Sequence, residues 1–242
     1  MPSHRLEIET ARGVMPVHLT RPSVGGSAPL VVMYMDSLGI RDVLHDHARR
    51  LTDAGYATAL PDLFFDVPLD RRPRIERLAA GDEEEFRRMG ELVASRDDEA
   101  ILEDTERVVT AIGAHGQWAC VGFCMGGRFA LRAAETFGDD VAAASLLHPS
   151  RLVTDEPDSP HLAAGRVHAA LYLGLGESDH VTPPDSLAPL REQLESHDVA
   201  HRIDVLPGAD HGFTMPGMPS YNEGAAEQAW SGTLAVLAER LR

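Results

Sequence analysis

Short apolar runs along the chain alternate with longer stretches in which apolar residues recur at helical spacing. The apolar runs are bounded by glycine, proline and polar residues, a pattern typical of β-strands, whereas the longer stretches are typical of helices. Strands are predicted at residues 6–8, 14–19, 30–35, 56–60, 118–122, 141–147, 167–173 and 201–206. Helices are predicted at residues 41–54, from about 81 onward, at 126–137, after Pro183-Pro184 and at 222–241.

The order of these elements predicts an α/β fold. The first two strands flank residues 11–13 and form a hairpin, and the later strands alternate with helices. This alternation favours a mainly parallel sheet of about eight strands with helices on both faces. Residues 1–242 are expected to form one domain, because no repeat, low-complexity tract or long linker divides them. In open sheets of this kind ligands bind beyond the carboxyl ends of the strands, so we expect the chemistry in the loops after residues 35, 60, 122, 173 and 206.

Composition narrows the possible partners. The 242 residues include 22 Lys+Arg and 38 Asp+Glu, for a formal net charge of −16. This acidic balance argues against nucleic acid as a partner, because nucleic-acid affinity depends on Lys and Arg neutralising phosphates. The N-terminal residues lack the apolar core of a signal peptide, and the apolar stretch 30–35 is too short to cross a bilayer. We therefore expect a cytoplasmic monomer or weak homodimer that binds neither membrane nor nucleic acid.

Cysteine and histidine placement bears on metals and disulfides. Cys120 and Cys124 are the only cysteines, and Cys120 falls inside a predicted strand, where a core role is expected. Two cysteines four residues apart do not make a disulfide scaffold. His45 and His47 lie two apart on a predicted helix and so do not share a face. We predict neither a metal nor another cofactor.

Residues 122–127 read Gly-Phe-Cys-Met-Gly-Gly and lie between a predicted strand and a predicted helix. This is the glycine–x–nucleophile–x–glycine elbow, with Cys124 in the position usually held by serine. The sharp turn crowds the positions two before and two after the nucleophile, which explains Gly122 and Gly126. A helix N-terminus favours a thiolate and an oxyanion, so the Met125 N–H is the first candidate oxyanion donor. The alternative is that Cys124 is an inert core cysteine.

A nucleophilic cysteine needs an imidazole and an acid that orients it. Of twelve histidines, His211 stands out because it follows the last predicted strand in a glycine-flanked loop. Asp179 follows the preceding strand and is the preferred acid; Glu177 is the substitute, and the side chain of Asp210 diverges from that of its neighbour. The order Cys124, Asp179, His211 is the nucleophile–acid–base order of α/β-hydrolases.

Taken together, these motifs resemble those of the dienelactone hydrolase family over nearly the whole chain. The matching segments are residues 34–39, 55–64, 122–127, 176–179 and 208–213. The resemblance implies a compact α/β-hydrolase fold without a large lid domain, and hydrolysis of enol-lactones. It also implies a catalytic triad of Cys124, Asp179 and His211, with the Ser37 N–H as second oxyanion donor beside Met125.

Two positions depart from the family pattern. Asp36 stands where the family often carries a glutamate that holds the thiol and helps to deprotonate it, so Asp36 is a thiol-activating candidate and His211 is the alternative base. Met215 stands where the family's name-giving enzyme has an arginine that clamps a substrate carboxylate, and a methionine cannot bind an anion. The substrate-binding candidates that remain are Arg71, Arg72, Arg74, Phe123 and Phe213.

The preferred function is hydrolysis of a small-molecule lactone or activated carboxylic ester through a thioester on Cys124. Because a thiolate leaves more readily than an alkoxide, an ordinary ester tends to expel the thiolate again, whereas an enolate or another stabilised leaving group avoids this return. Two alternatives remain open: a broad carboxylesterase or thioesterase with the same triad, and a non-catalytic α/β-hydrolase scaffold used for binding.

Overall fold

The computed structural model describes residues 3–23, 27–114 and 116–241. In these ranges the strands are β1 (Ser3–Thr10), β2 (Gly13–Thr20), β3 (Leu30–Tyr34), β4 (Ala57–Pro61), β5 (Trp118–Phe123), β6 (Val141–Leu147), β7 (Ala170–Gly176) and β8 (His201–Leu206). The α-helices are α1 (Asp42–Asp53), α2 (Ile75–Ala79), α3 (Glu83–Ala94), α4 (Asp98–Ile112), α5 (Met125–Phe137), α6 (Ala188–Ser196) and α7 (Glu223–Arg240). None of the helices in these ranges is both long enough and apolar enough to cross a membrane.

The eight strands form one sheet in the order β1-β2-β4-β3-β5-β6-β7-β8. β1 pairs antiparallel with β2, and β2 pairs antiparallel with β4. All pairs from β4 to β8 are parallel. The predicted mainly parallel sheet of about eight strands is confirmed, including the opening hairpin.

Helices cover both faces of the sheet. α5 packs against β3, β5 and β6 with α4 beside it, while α1 packs on β2 and β4 and α7 on β6, β7 and β8. On the second face α1 and α7 meet where His47 lies against Trp230, with ring centroids 5.1 Å apart. Strands β3 to β7 are buried along their whole length, which is why they read in the sequence as continuous apolar runs.

The strand register brings the carboxyl ends of β3 to β8 together. Tyr34 pairs with Gly122, Phe123 with Leu147, and Gly176 with Leu206. The loops that leave these ends therefore meet at one edge of the sheet, as the sequence predicts.

Strand β7 is shifted by three residues from its predicted position at 167–173. The segment Pro160–Arg166 forms a 3-10 helix, and the Val167 N–H donates to its last turn at Ala164. The strand then runs on through Gly174 and Gly176. A Cβ on Gly176 would lie 2.6 Å from the Ala209 carbonyl oxygen, so this glycine marks a close backbone approach within the strand rather than its end.

Helix ends follow local signals. At the end of α1 the Tyr56 N–H donates to the Leu51 carbonyl and the Gly55 N–H to Thr52, with Gly55 at φ +103°, which is a Schellman-type end. Helix α4 is absent from the predicted elements, although it carries comparable signals: the Asp97 side chain caps its start, and Gly113 in the left-handed region closes it.

Candidate active site

The turn between β5 and α5 holds Cys124 in a backbone conformation that residues other than glycine rarely adopt. Cys124 has φ 52° and ψ −117°, a strained geometry that persists only where the surroundings enforce it. A Cβ on Gly122 would lie 2.0 Å from the Gly126 carbonyl oxygen, and one on Gly126 would lie 2.4 Å from the Tyr34 carbonyl oxygen. Only glycine fits at both positions, so the backbone itself has the shape of a nucleophile elbow.

The loops after β7 and β8 bring a carboxylate to an imidazole. Nδ1 of His211 lies 2.9 Å from Oδ2 and 3.1 Å from Oδ1 of Asp179. Asp179 is buried, and its Oδ1 also accepts the N–H groups of Val181 and Thr182 at 2.9 and 2.8 Å. These bonds fix the carboxylate and leave the other ring nitrogen of His211, Nε2, without a hydrogen-bond partner among the described residues.

The other acids near His211 bond elsewhere. Asp210 accepts from Nδ1 of His180 at 2.8 Å and from the His211 backbone N–H at 2.6 Å. Glu177 accepts the Gly208 N–H at 2.9 Å. Only Asp179 is therefore placed to orient the His211 ring.

Cys124 and His211 perturb each other's protonation. Burial raises the pKa of the Cys124 thiol, but the charge and hydrogen bond of His211, together with the Ser150 hydroxyl, outweigh it, so that the pKa lies below its ordinary value. Burial lowers the pKa of His211, but the Cys124 charge and the Asp179 hydrogen bond raise it above the ordinary value overall. The pair is therefore electrostatically suited to exist as thiolate and imidazolium.

Asp36, in the loop after β3, is held by an arginine. Its two oxygens accept from Nη1 and Nη2 of Arg41, each at 2.6 Å, and Oδ1 also accepts the Leu38 N–H at 3.0 Å. Asp36 and Ser37 are buried, and Arg41 is largely so. Such a fork-to-fork pair uses both carboxylate oxygens, and the Asp36 charge acts to raise the pKa of Cys124.

A cavity of about 650 Å³ opens over these groups at the carboxyl ends of the strands. Cys124 and His211 line it together with Asp36, Ser37 and His148. The rest of its wall is mainly apolar and comes from α2, α3 and the loop that follows His211. This is the concave, largely apolar shape expected of a small-molecule site.

The sequence model of the dienelactone hydrolase family matches residues 15–241. The chain belongs to the dienelactone hydrolase family. A Bradyrhizobium sp. protein provisionally named a 2-oxo-3-(5-oxofuran-2-ylidene)propanoate lactonase is 26% identical over 227 residues, which cover 91% of this chain and 87% of the relative. The carboxymethylenebutenolidase of Rhodococcus opacus is 27% identical over 230 residues, covering 92% and 86%. The structure of a Klebsiella pneumoniae protein provisionally named a dienelactone hydrolase superposes with a TM-score of 0.85 at 24% identity and covers 98% of each chain.

Family membership confirms the expected α/β-hydrolase fold and the expected class of enzyme, a hydrolase of carboxylic ester bonds. No large lid domain covers the sheet in the described residues. The segment between β4 and β5, which contains α2 and α3, nevertheless contributes to the cavity wall.

The three arginines predicted to bind substrate are not among the residues that line the cavity. Arg72 is occupied within its own loop, where it donates to Asp62 and to the carbonyls of Phe64 and Val67. Arg71 lines a different surface pocket, and Arg74 is exposed at the start of α2. With none of the three in the cavity lining, the structure adds no support to their predicted role in substrate binding.

The two aromatic residues predicted to contact substrate are likewise outside the cavity lining. Phe123 is fully buried beneath the elbow and stacks on His47 at a centroid distance of 5.0 Å. Phe213 is fully buried and meets the His148 ring edge-on at 5.4 Å. Both rings face the core, so neither lines the cavity; they support the residues that do.

Behind Cys124 and His211 lies a pair of buried histidines joined through Thr214. Nε2 of His148 lies 2.7 Å from the Thr214 hydroxyl, and Nε2 of His47 lies 3.1 Å from the Thr214 carbonyl oxygen. Burial lowers the pKa of His47 to about 4 and that of His148 well below its ordinary value. Both are therefore neutral packing groups at neutral pH. Within the described ranges no group of three or more metal-ligating side chains is present.

Two residues in contact with the site are absent from the predicted set. Arg41 is one, and Ser150 is the other: its hydroxyl lies 3.8 Å from the Cys124 sulfur, and its backbone N–H donates to the Cys124 carbonyl at 3.0 Å. Ser150 follows β6, whose carboxyl end is not among the loops in which the sequence predicts chemistry.

Proposed function

We propose that this protein hydrolyses lactones or activated carboxylic esters through a thioester on Cys124, with His211 as the proton carrier and Asp179 as the orienting acid. The observation that carries the proposal is the arrangement at the sheet edge. A cysteine in a strained elbow faces an imidazole whose far nitrogen is held by a buried, fully bonded carboxylate. The lowered pKa of Cys124 supports a thiolate nucleophile.

In the first half-reaction the thiolate sulfur of Cys124 attacks the substrate carbonyl carbon and the carbonyl electrons move to oxygen. The Met125 and Ser37 N–H groups are the proposed oxyanion donors, each worth about 3 kcal/mol in the transition state. Neither has an acceptor among the described backbone groups, whereas the neighbouring Leu38 N–H is bonded to Asp36. The oxyanion then collapses, the bond to the leaving oxygen breaks, and that oxygen takes the proton from Nε2 of His211.

In the second half-reaction neutral His211 takes a proton from water as the water oxygen attacks the thioester. Collapse of this second oxyanion breaks the carbon–sulfur bond and releases the acid. The thiolate of Cys124 and the imidazolium of His211 are restored together. Asp179 keeps the ring oriented and stabilises its positive charge throughout.

His211 rather than Asp36 is the base in this proposal. Both oxygens of Asp36 are taken by Arg41, and one also accepts a backbone N–H. A proton transfer to Asp36 would break a charge-assisted pair in a buried position, which is costly. The Asp36–Arg41 pair instead braces the loop that carries the Ser37 N–H.

The test compares wild type, Cys124→Ala and Cys120→Ala on p-nitrophenyl acetate and on a dienelactone. Cys120 is the matched control, because it is buried inside β5 beneath the site. We expect wild type and Cys120→Ala to turn over at least one substrate and to show an acyl adduct by intact-mass analysis after acid quench. Cys124→Ala should do neither. Equal turnover by wild type and Cys124→Ala would show that another group is the nucleophile.

A further inference from the structure

The cavity wall carries apolar side chains where a substrate would lie. Its larger members are Leu38, Leu78, Phe86, Met89, Met215 and Met218. Methionine adapts its shape to irregular apolar surfaces, so three of them in one wall favour a substrate that is apolar and variable in outline. The hydroxyl of Ser37 also points at this wall, since it lies 3.4 Å from the Met89 sulfur.

Exposed apolar side chains are concentrated at the mouth of the same cavity. Seven large hydrophobic residues in the described ranges are exposed, and three of them line it: Phe86 at 48%, Val181 at 50% and Tyr221 at 38%. Apolar surface left in water costs free energy, and clustering at one opening marks a place where an apolar ligand covers it.

Arginine is absent from the described cavity lining. The chain has no lysine, so its 22 Lys+Arg side chains are all arginines, and none of those that the structure describes lines the cavity. Arg41 and Arg77, in segments that flank the cavity, are already paired: Arg41 with Asp36, and Arg77 with Asp82 at 2.7 Å. The position at which the family resemblance implies an arginine carries the buried Met215.

The charged groups that line the cavity in the described ranges are paired, and they leave no free cation for an anion. Asp36 and Asp210 both line it. The imidazolium of His211 is balanced by the Cys124 thiolate, and His180 at the mouth is bonded to Asp210. A net charge of −16 adds a long-range field that repels anions from the opening.

We propose, on the basis of the thiol hydrolase function above, that this site selects uncharged, apolar esters or lactones and discriminates against substrates that carry a carboxylate. A bound carboxylate would lose water and gain no cation, and a charged group left unpaired in this way costs more than an ordinary missing hydrogen bond. The name of the Bradyrhizobium relative specifies a propanoate. The proposal therefore separates this chain from that relative in the charge of the substrate.

The test uses two esters with the same leaving group. p-Nitrophenyl heptanoate and p-nitrophenyl hydrogen adipate share the carbonyl and a four-methylene chain, and differ in whether an ethyl group or a carboxylate ends it. We expect wild type to prefer the heptanoate in kcat/KM by roughly 30-fold or more, after subtraction of the uncatalysed rates. A preference for the adipate, or equal values, would overturn the proposal and leave the thiol hydrolase function standing.

Introducing a cation should reverse part of this preference. Met215→Arg places a guanidinium at the buried wall, and Met218→Arg places one at a half-buried position, which serves if the first variant does not fold. Leu162→Arg is the matched control, because it adds the same charge at an exposed apolar residue outside the cavity. We expect a cavity arginine to raise adipate kcat/KM relative to heptanoate by roughly 10-fold, and the control to leave the ratio unchanged.

Failure of the charge argument and failure of the proposed hydrolase function give different experimental results. An unchanged ratio in a folded cavity variant would refute the charge argument, while an acyl adduct on Cys124 from the heptanoate would still support the mechanism. If wild type neither hydrolyses nor is acylated by either ester, the proposed function fails and the inference fails with it.

Discussion

Removing the His211 imidazole tests the electrostatic core of the mechanism. In wild type the charge and hydrogen bond of His211, with help from Ser150, overcome burial and hold the pKa of Cys124 below its ordinary value. In His211→Gln the remaining influences are burial and Asp36, which raise the pKa, and Ser150, which lowers it. We therefore expect the pKa of Cys124 to rise past that of a free cysteine, about 8.5.

The size of the effect follows from the thiolate fraction. A thiol with a pKa of about 8.5 is roughly 3% ionised at pH 7, and the lowered pKa of the paired Cys124 thiol increases that fraction. His211→Gln should therefore slow alkylation of Cys124 by iodoacetamide at pH 7, by roughly tenfold for each unit by which the pKa rises. The pH profile of alkylation should move in the same direction, with its midpoint displaced to higher pH.

The pH profile of ester turnover should also have an alkaline limb, because turnover needs the His211 imidazolium as well as the Cys124 thiolate. The thiolate is lost as the pH falls through the lowered pKa of Cys124, and the imidazolium is lost as the pH rises through the raised pKa of His211. Activity should therefore fall on both sides of a plateau whose alkaline edge lies above the ordinary histidine pKa.

Both profiles are best measured in a Cys120→Ala background, so that all label reports Cys124. His180→Gln is the matched control, since it removes an exposed imidazole from the same cavity without touching the triad. A wild-type alkylation midpoint at or above that of free cysteine would refute the reasoning. So would a midpoint that His211→Gln leaves in place.

Three further substitutions probe the supports of the site. Arg41→Gln removes both charge-assisted bonds of Asp36, so the free energy of unfolding in urea should fall by about 3 kcal/mol, and adding Asp36→Asn should recover part of that loss. An unchanged denaturation midpoint in Arg41→Gln would contradict the expected loss. Gly122→Ala places a Cβ against a backbone carbonyl and should abolish folding, whereas the control Gly90→Ala, in open space on an exposed helix, should raise the free energy of unfolding by about 0.5–1 kcal/mol. Similar melting temperatures for the two variants would be inconsistent with the elbow geometry. Ser150→Ala removes the hydroxyl beside Cys124 and should move the acid limb of the alkylation profile to higher pH, with little change in melting temperature. An acid limb that stays in place would show that the Ser150 hydroxyl does not stabilise the thiolate.

The sheet and the elbow could be predicted because their signals are local. Buried parallel strands require continuous apolar runs, and the crowding at Gly122 and Gly126 admits no side chain. The placement of the candidate triad follows from the fold rule that groups after successive strand ends meet at one edge. Asp179 and His211 are 32 residues apart in the chain but adjacent there.

The contacts that the sequence did not predict are made by long arginine side chains, whose partners depend on how the loops fold. The sequence offers Asp36 as a thiol-activating candidate beside His211, but Arg41 takes its carboxylate because the intervening loop folds back, with the Gly39 N–H bonded to the Asp36 carbonyl. Arg72 was expected in the cavity, yet its guanidinium is satisfied by carbonyls of its own loop. Nothing in the local pattern around either arginine distinguishes a ligand-binding role from a structural one.

The same distinction explains why the fold does not by itself determine the substrate. The proposed nucleophile, acid and base leave strand ends whose positions are determined by the sheet, so a change of residue type elsewhere hardly moves them. The cavity wall instead comes from α2, α3 and the loop after His211, where single side chains set the charge that a substrate meets. A methionine at position 215 leaves the elbow and the Asp179–His211 bond intact, yet it removes the cation that a carboxylate needs. Substrate charge should thus be changeable in this fold by one or two wall residues without loss of the thioester chemistry, which is the outcome that the arginine variants are designed to reveal.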